Sequence, residues 1–266
     1  LRICPDIDTI MYTLSGVVNR EFGWGVADDS RNMLSMLQRY GEAPWFTLGD
    51  KDLATHLLRT QWLREGRRLT DITRQLTTAL GIQHPILPMT DDEAPTRVDT
   101  AEYGELEFQE YFVRYRWQPV IRKIHYTGAE QANLTPEVCD ALQQADAIIV
   151  GPSNPWLSIA PILALPQMKE MLLAREIPRV AVTPIINGQA VKGPAAKLMA
   201  ELGYTVSAES VARYYGDLIN GFVVDETDTP LQLSHTRVVS LPTFMQTDED
   251  KVVLAQRVLH WIQGWS

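Results

Sequence analysis

The chain has 266 residues, of which 45% are hydrophobic and 21% charged, a balance typical of a globular protein and unlike that of a disordered chain. Its 24 lysines and arginines against 33 aspartates and glutamates give a formal net charge of −9, which argues against a nucleic-acid-coating surface, because such surfaces are basic. Two cysteines are too few for a zinc site or a disulfide framework, so we expect a cytoplasmic protein, and no apolar run approaches the roughly 20 residues that a membrane span needs.

The first part of the chain, residues 1–83, predicts mostly helices. Pro5 suits the first turn of a helix, and apolar residues recur at helical spacing over 7–18. The polar residues 28–30 offer caps for a second helix that runs through Leu37. Because the sequence begins directly on a helix and without an initiator methionine, we expect further residues upstream.

Two more helices complete this part. Asp50 or Asp52 begins the third helix, and Thr70 begins the fourth. His56 lies four residues after Asp52, a spacing that suits either a metal-binding pair or a capped helix with a surface histidine.

Residues 84–127 predict a small β-rich lobe. Prolines divide the beginning of this segment into short pieces. Two runs rich in strand-forming residues follow, at 106–113 and at 120–126. Just after the first run, Arg114 and Arg116 alternate with the aromatic Tyr115 and Trp117, which suits either a planar ligand or a charged sheet edge.

Residues 128–266 predict an α/β part. Short apolar runs alternate with helical patterns, as in a parallel sheet covered by helices on both faces. We therefore expect a Rossmann-like α/β fold with a smaller β-rich lobe. The strands are expected at 147–150, 180–182, 221–225 and 238–240, and the helices near 136–145, 168–174, 194–202 and 247–263.

Two loops that follow predicted strands are candidate ligand sites, because open α/β sheets bind ligands beyond the carboxyl ends of their strands. The first comprises Gly151, Pro152, Ser153 and Asn154, which suit either a phosphate or ribose site or a simple capped turn. The second runs over 183–193.

In the second loop, Lys192 and Gly193 directly precede a predicted helix whose first turn holds Pro194. Helix N-terminal amides and one lysine suit an anion, and Thr183 and Gly188 belong to the same loop. The glycine spacing is not that of a Walker P-loop. A plain connecting loop is the alternative.

Asp6 and Asp8 form the third candidate site. Two carboxylates beside the Thr9 hydroxyl could hold Mg²⁺ or act on a hydroxyl nucleophile. On spacing alone, the pattern is more typical of first-turn acids that favour the helix dipole.

Six segments together resemble the 2-phospho-L-lactate transferase family of coenzyme F-420 biosynthesis. In chain order they are RICPDIDTIMYTLSG, GDKDLATHLLRTQWLREG, LPMTDD, FQEYFVRYR, GPSNPWLSIAPILALP and VTPIINGQAVKGPAAKLM. The resemblance extends from Arg2 to about Asp225. The opening RICP looks more like the bacterial members, which use the phosphoenolpyruvate-derived donor.

The resemblance implies a Mg²⁺-dependent reaction of two substrates. A guanosine diphosphate-linked donor, lactyl or enolpyruvyl, is expected to react with the terminal ribityl hydroxyl of the deazaflavin FO, and GMP is released. The family also implies a Rossmann-like sheet with a smaller lobe and, usually, a homodimer.

The residue roles are carried over by position. Asp8 matches the family aspartate placed at FO and the metal, and Asp6 lies beside it. The loops 151–154 and 183–193 match segments expected to hold the guanosine diphosphate part, with Lys192 as a candidate phosphate contact. Thr47 stands where the family often has a basic residue that contacts FO.

The sequence departs from the family at its start. The family begins with a strand and a Gly-rich turn, then a strand ending in an Asn-Thr-Gly-Asp-Asp-like motif that supplies an acidic metal ligand, and neither occurs in these 266 residues. Two other functions stay open. One is a nucleotide-sugar-binding regulator of related fold that does not react with FO. The other is a Rossmann-type dehydrogenase, although the sequence has no G-x-G-x-x-G.

Overall fold

The computed structural model describes residues 1–42, 45–191 and 193–265. The helices are α1 Pro5–Leu14, α2 Asn32–Arg39, α3 Asp50–Arg64, α4 Leu69–Ala79, α5 Pro136–Gln144, α6 Ala160–Leu163, α7 Pro166–Leu173, α8 Ala195–Glu201, α9 Ala208–Tyr215 and α10 Asp248–Gln263. The strands are β1 Thr96–Thr100, β2 Gly104–Glu107, β3 Ile121–Tyr126, β4 Ile148–Val150, β5 Arg179–Val182, β6 Ile185–Ile186, β7 Gln189–Ala190, β8 Gly221–Asp225 and β9 Arg237–Leu241. Two π-helical turns, Glu110–Arg114 and Pro155–Ile159, and a 3₁₀ turn, Gly216–Leu218, complete the elements.

A parallel sheet forms the centre of the molecule. In the described part of the chain its order is β4-β5-β8-β9, and each neighbouring pair is parallel. All four strands therefore end at one edge, from which the loops after β4, β5 and β8 leave. The Rossmann-like α/β fold that the sequence predicts is confirmed.

Alternating side chains on the central strands explain why helices cover both faces of this sheet. Val180 and Val182 of β5 and Val223 of β8 pack against α10 through Leu254 and other apolar residues. Ala181, Phe222 and Val224 point to the opposite face and pack with α8 and α9. Since neighbouring residues of a strand face opposite sides, wholly apolar strands need this double cover.

One strand is less buried than its sequence predicts. The run 147–150 suggests a strand covered on all sides, yet β4 is an edge strand of the described sheet and Ile149 is 45% exposed. An edge strand has a neighbour on one side only, and apolar content alone does not reveal which strand lies at the edge.

The small lobe contains an antiparallel sheet of order β2-β1-β3. The strand predicted at 106–113 is wrong beyond Glu107, where the chain turns into the π-helical Glu110–Arg114. This turn buries Tyr111 completely, and its hydroxyl donates to the Trp117 carbonyl at 3.3 Å. Aromatic residues favour strands locally, but here the burial of Tyr111 by tertiary packing outweighs that preference.

The lobe shares its core with the α/β part. Val98, Leu106 and Ile121 of the small sheet belong to the same buried cluster as Phe222 of β8. The Ile121 amide also donates to Glu201 of α8 at 2.9 Å. The boundaries at 83/84 and 127/128 remain predictions.

The N-terminal helix is shorter than its apolar spacing predicts. It ends at Leu14, because Gly16 takes a left-handed conformation with φ 76° and Val18 leaves to form a β-bridge with Val26. Among the described helices, none is both long and apolar enough to cross a membrane.

Candidate active site

Asp8 lies in the first turn of α1 and is 4% exposed. Pro5 begins this helix without loss of a hydrogen bond, since the first amides of a helix have no internal acceptor. The Asp8 carboxylate accepts the Cys4 amide at 3.3 Å. Burial raises the pKa of Asp8, and the charge and hydrogen bonds of Arg59 oppose that rise.

Arg59 binds Asp8 from the facing helix α3. Its Nη1 donates to Asp8 Oδ2 at 3.1 Å, and its Nη2 donates to Oδ1. This two-point arrangement is the geometry in which a guanidinium binds a carboxylate most strongly. Arg59 is fully buried, and its Nη1 also lies 3.3 Å from the Arg2 carbonyl.

His56, one turn before Arg59, links this pair to a second carboxylate. Its Nδ1 lies 3.2 Å from Arg59 Nη1, and its Nε2 lies 3.2 Å from Asp52 Oδ1. Because a guanidinium only donates, Nδ1 acts as the acceptor toward Arg59, and the buried Nε2, although close to Asp52, makes no hydrogen bond within the described residues. Hence His56 is a buried part of the site, at 1% exposure, and the surface position offered as one alternative is wrong.

Tyr12 of α1 completes the group. Its hydroxyl lies 2.8 Å from Asp52 Oδ1, to which it donates, and 2.9 Å from Thr55 Oγ1. Burial is the main cause that raises the pKa of Tyr12, so its proton stays in place. Helices α1 and α3 are therefore joined by a continuous polar network, which we call the Asp8 network: Asp8, Tyr12, Asp52, His56 and Arg59.

Asp6 is not part of this network. It is exposed, on the opposite side of the first turn. Its proposed support of Asp8 stays a prediction.

The described residues do not by themselves form a magnesium site. Both Asp8 oxygens are bound by Arg59, and a guanidinium in contact with a carboxylate repels a cation. No group of three or more histidine, cysteine or acidic residues with metal-binding geometry occurs over 1–42, 45–191 and 193–265. Mg²⁺ binding by Asp6 and Asp8 therefore remains a proposal from the resemblance.

The loop after β4 is ordered by Asn154. Its Oδ1 accepts the amides of Trp156 and Leu157 at 3.0 and 3.2 Å and so caps the π-helical turn that follows. Its Nδ2 is buried and has no hydrogen-bond partner among the described residues. Gly151 and Pro152 are exposed, and the Ser153 amide turns back to the Gly151 carbonyl at 2.7 Å. The capped turn is thus present, and the loop also presents exposed backbone at the carboxyl edge of the sheet.

The loop after β5 contains a short hairpin, β6–β7, where the sequence predicts an irregular connection. Thr183 is buried and its hydroxyl bonds with the backbone of Ile185, so it shapes the loop. Asn187 and Gly188 form the tip with φ of 49° and 71°.

The hairpin tip contacts the loop after β8. The Asn187 amide donates to Asp228 at 2.7 Å, and its side chain donates to Thr227 at 2.9 Å. Gly193 has φ 68°, and Pro194 is the N-cap of α8 instead of a residue of its first turn. Lys192 lies outside the described residues.

Thr47 is exposed, two residues before the N-cap of α3. Arg59 and Tyr12 are not among the site residues that the sequence predicts. A signal was present for Arg59, because Asp52, His56 and Arg59 follow one another at helical spacing and share one face of α3.

The structure is that of an α/β protein with loops at the carboxyl edge of its sheet, where such folds bind ligands, and with the buried Asp8 network between α1 and α3. Its fold is similar to that of a UPF0052 family protein from Bacillus halodurans, with a TM-score of 0.55 over 92% of this chain and 81% of the other, at 12% identity. A second structure of a protein from that organism gives a TM-score of 0.56 over 94% and 82%, at 11% identity. Identity this low supports the fold alone.

The family follows from the sequence matches. The model of the 2-phospho-L-lactate transferase CofD family matches residues 1–261, and the chain belongs to this family. It is 38% identical over 261 residues to a 2-phospho-L-lactate transferase of Methanosarcina mazei, covering 97% of this chain and 85% of that protein. It is 40% identical over 260 residues to a phosphoenolpyruvate transferase of Thermobifida fusca, covering 96% and 80%. The family resemblance is thereby confirmed.

Proposed function

We propose that this protein transfers a phosphoenolpyruvyl or 2-phospho-L-lactyl group from a guanosine diphosphate-linked donor to the terminal ribityl hydroxyl of FO, in coenzyme F-420 biosynthesis. The hydroxyl oxygen attacks the phosphorus that bears the three-carbon acid, and the bond from this phosphorus to the GMP oxygen breaks. The hydroxyl loses its proton, and GMP leaves. Family membership supports this reaction class, and the buried, oriented Asp8 carboxylate is the observation that carries it on the side of FO.

On the acceptor side, Asp8 would accept a hydrogen bond from the FO hydroxyl. Phosphoryl transfer depends on position and charge more than on covalent chemistry by the protein, so a carboxylate fixed by two bonds from Arg59 suits this task. Thr47, exposed just before α3, is proposed to line the FO site, and Asp6 is proposed to support Asp8.

On the donor side, the carboxyl edge of the sheet would hold the nucleotide. Exposed backbone at Gly151 and Pro152, with Ser153 beside them, is suited to the sugar or phosphates. The buried side-chain amide of Asn154 offers a hydrogen-bond donor that none of the described residues uses. The second loop would contribute through Thr183, Gly188, Lys192 and Gly193.

Mg²⁺ dependence belongs to the proposal and rests on the family resemblance. Mg²⁺ commonly binds proteins through one or two carboxylates together with substrate phosphates. When bound, it would neutralise charge on the transferred group. A homodimer and a cytoplasmic location are proposed on the same basis.

The donor is proposed to be the enolpyruvyl one, from the RICP opening. The relatives do not separate the donors, since a lactate-type and a phosphoenolpyruvate-type enzyme are 38% and 40% identical to this chain. The alternative function is a nucleotide-sugar-binding regulator that does not act on FO.

The test incubates the protein with FO, Mg²⁺ and each guanosine-linked donor in turn, with mass spectrometry of the products. A phosphodiester of FO together with GMP supports the transferase, and the donor that reacts identifies the subtype. Loss of turnover in EDTA, restored by added Mg²⁺, supports the metal requirement. Nucleotide binding without any product would favour the regulator.

A further inference from the structure

Burial of the ion pair between Asp8 and Arg59 costs free energy, because both charges lose their contact with water. The Asp8 side chain is 6% exposed and the Arg59 side chain is 0% exposed. Removing two charges from water costs several kcal/mol per ion, so that replacing a buried ion pair by apolar residues of similar size is often neutral or stabilising. Stability alone therefore does not explain why the interface of α1 and α3 contains this pair.

The orientation of the pair has a consequence for Asp8. The guanidinium contacts both carboxylate oxygens from the side of α3. A carboxylate has about four acceptor positions. Arg59 uses one on each oxygen and the Cys4 amide uses a second on Oδ2, so within the described residues the remaining position lies on Oδ1. Of these two side chains, Asp8 alone reaches solvent.

A second layer fixes Arg59 itself. Its Nη1 lies 3.2 Å from His56 Nδ1 and 3.3 Å from the Arg2 carbonyl. His56 Nε2 in turn lies 3.2 Å from Asp52 Oδ1. Two groups besides Asp8 therefore hold Arg59 Nη1 in place, and the two-point contact aligns the Asp8 carboxylate with the guanidinium.

We infer that Arg59, held by His56, is the positioning residue that orients the Asp8 carboxylate toward the acceptor hydroxyl. This inference rests on the proposed function. Because the carboxylate is held by a guanidinium, Asp8 acts as an oriented hydrogen-bond acceptor for the hydroxyl. Arg59 itself touches neither substrate.

The test compares Arg59→Lys with a matched control on the same helix, Arg64→Lys. Arg64 is exposed in the last turn of α3. Lysine keeps the charge at position 59 but makes a single-point contact in place of the two-point one. We expect Arg59→Lys to lower kcat at least ten-fold while the KM of the donor changes less than two-fold. Arg64→Lys should leave both values within two-fold of the wild type.

Several results would overturn the inference. A kcat of Arg59→Lys within two-fold of the wild type, with only the melting temperature lowered, would make Arg59 a structural residue. A rise in the KM of the donor as large as the fall in kcat would show that Arg59 acts on donor binding and not on the orientation of Asp8. If Arg59→Lys does not fold, His56→Gln takes its place, with a reduced kcat at constant donor KM in support and an unchanged kcat against.

Binding of FO supplies an independent readout. The affinity for FO is measured by calorimetry for the wild type, Asp8→Asn, Arg59→Lys and the double variant, under conditions where circular dichroism shows all four folded. If Arg59 acts through Asp8, the double variant binds FO as weakly as Asp8→Asn alone. Additive losses would contradict the inference.

Failure of the proposed function is distinguishable from failure of this inference. A wild-type protein that forms no product with either donor overturns both. A wild-type protein that forms product while Arg59→Lys is equally active overturns only the role of Arg59. Retained activity of Asp8→Asn at full Mg²⁺ would remove Asp8 from the mechanism and Arg59 with it.

Discussion

Asp29, which precedes α2, caps the start of α3, and Asp50, in the first turn of α3, caps the start of α2. The Asp29 carboxylate accepts the amides of Lys51 and Asp52, at 2.8 and 3.0 Å, in the first turn of α3. Asp50, within that turn, accepts the amides of Asn32 and Met33 at the start of α2, at 3.0 and 3.1 Å. The position of α3, which carries His56 and Arg59, is therefore tied to the chain before it.

This exchange corrects a prediction. Residues 28–30 were expected to cap α2, yet Asp29 caps α3, and Ser30 donates its hydroxyl to Asp50 at 2.6 Å. The Ser30 hydroxyl, followed by the Met33 amide, lowers the pKa of Asp50. A capping residue that lies 17 to 23 positions away in sequence has no local signal.

Gly49→Ala should break the exchange. A Cβ on Gly49 would lie 2.0 Å from Asp29 Oδ2, so the carboxylate would have to leave both amides. Loss of a cap costs about 0.5–2 kcal/mol, and we expect the free energy of unfolding in urea to fall by about that amount. The control is Gly264→Ala, whose nearest contact is an ordinary 3.6 Å. Equal stability of Gly49→Ala and the wild type would refute the arrangement.

Asp8→Asn should lower both activity and stability. The amide retains the shape of the carboxylate but leaves the buried Arg59 charge without its partner, which costs about 3–5 kcal/mol. We expect the melting temperature to fall by about 10 °C and transfer to FO to fall at least a hundred-fold. Thermal unfolding and product formation measure the two effects, with Asp140→Asn, an exposed residue of α5, as the control. An unchanged melting temperature would contradict the ion pair.

Elements with a strong local pattern of apolar residues and caps are predicted correctly from the sequence. Features that depend on contacts between residues far apart in the chain are not. The closing helix, predicted at 247–263, is observed at Asp248–Gln263, with a Thr247–Asp250 capping box that marks its start. Asp8 was recognised as a candidate, but its partner Arg59 lies 51 residues away. The hairpin within 183–193 was missed because two-residue strands leave almost no alternation to read.

Asn154→Ser should retain the helix cap but remove the proposed hydrogen bond to the guanosine-linked donor. Serine is about as good an N-cap as asparagine, so the unfolding free energy should change by under about 1 kcal/mol. It lacks the buried Nδ2 donor, and the KM of the guanosine-linked donor should rise several-fold. Asn154→Ala, which removes both groups, should lose about 1 kcal/mol more stability. A donor KM that is the same in Asn154→Ser and the wild type would assign Asn154 to the cap alone.

Thr47→Arg should strengthen FO binding. The family resemblance places a basic residue here, and the exposed position before α3 leaves room for a longer side chain. A hydrogen bond from a guanidinium would contribute about 1 kcal/mol, so we expect the KM of FO to fall about five-fold. Thr78→Arg adds the same charge on the exposed side of α4 and serves as the control. A KM of FO that falls equally in both variants would indicate a general charge effect.

Glu137→Gln should change the acid stability of the protein. Hydrogen bonds from Arg68, at 2.8 and 3.0 Å, are the main cause that lowers the pKa of Glu137 from 4.5 to about 2. A pKa lowered by folding adds stability that is present above the unfolded value and is lost as pH falls through the folded one. The wild type should thus be more stable than Glu137→Gln at pH 6, and the difference should shrink between pH 4.5 and 2.

Urea unfolding of both proteins over this range measures the difference. Glu130→Gln, which alters an exposed carboxylate, provides the control. A difference that stays constant from pH 6 to pH 2 would show that the charge of Glu137 does not link α4 and α5. Because Arg68 also binds Asp91 at 2.8 Å, Arg68→Lys should weaken both contacts and flatten the pH dependence of the wild type in the same window.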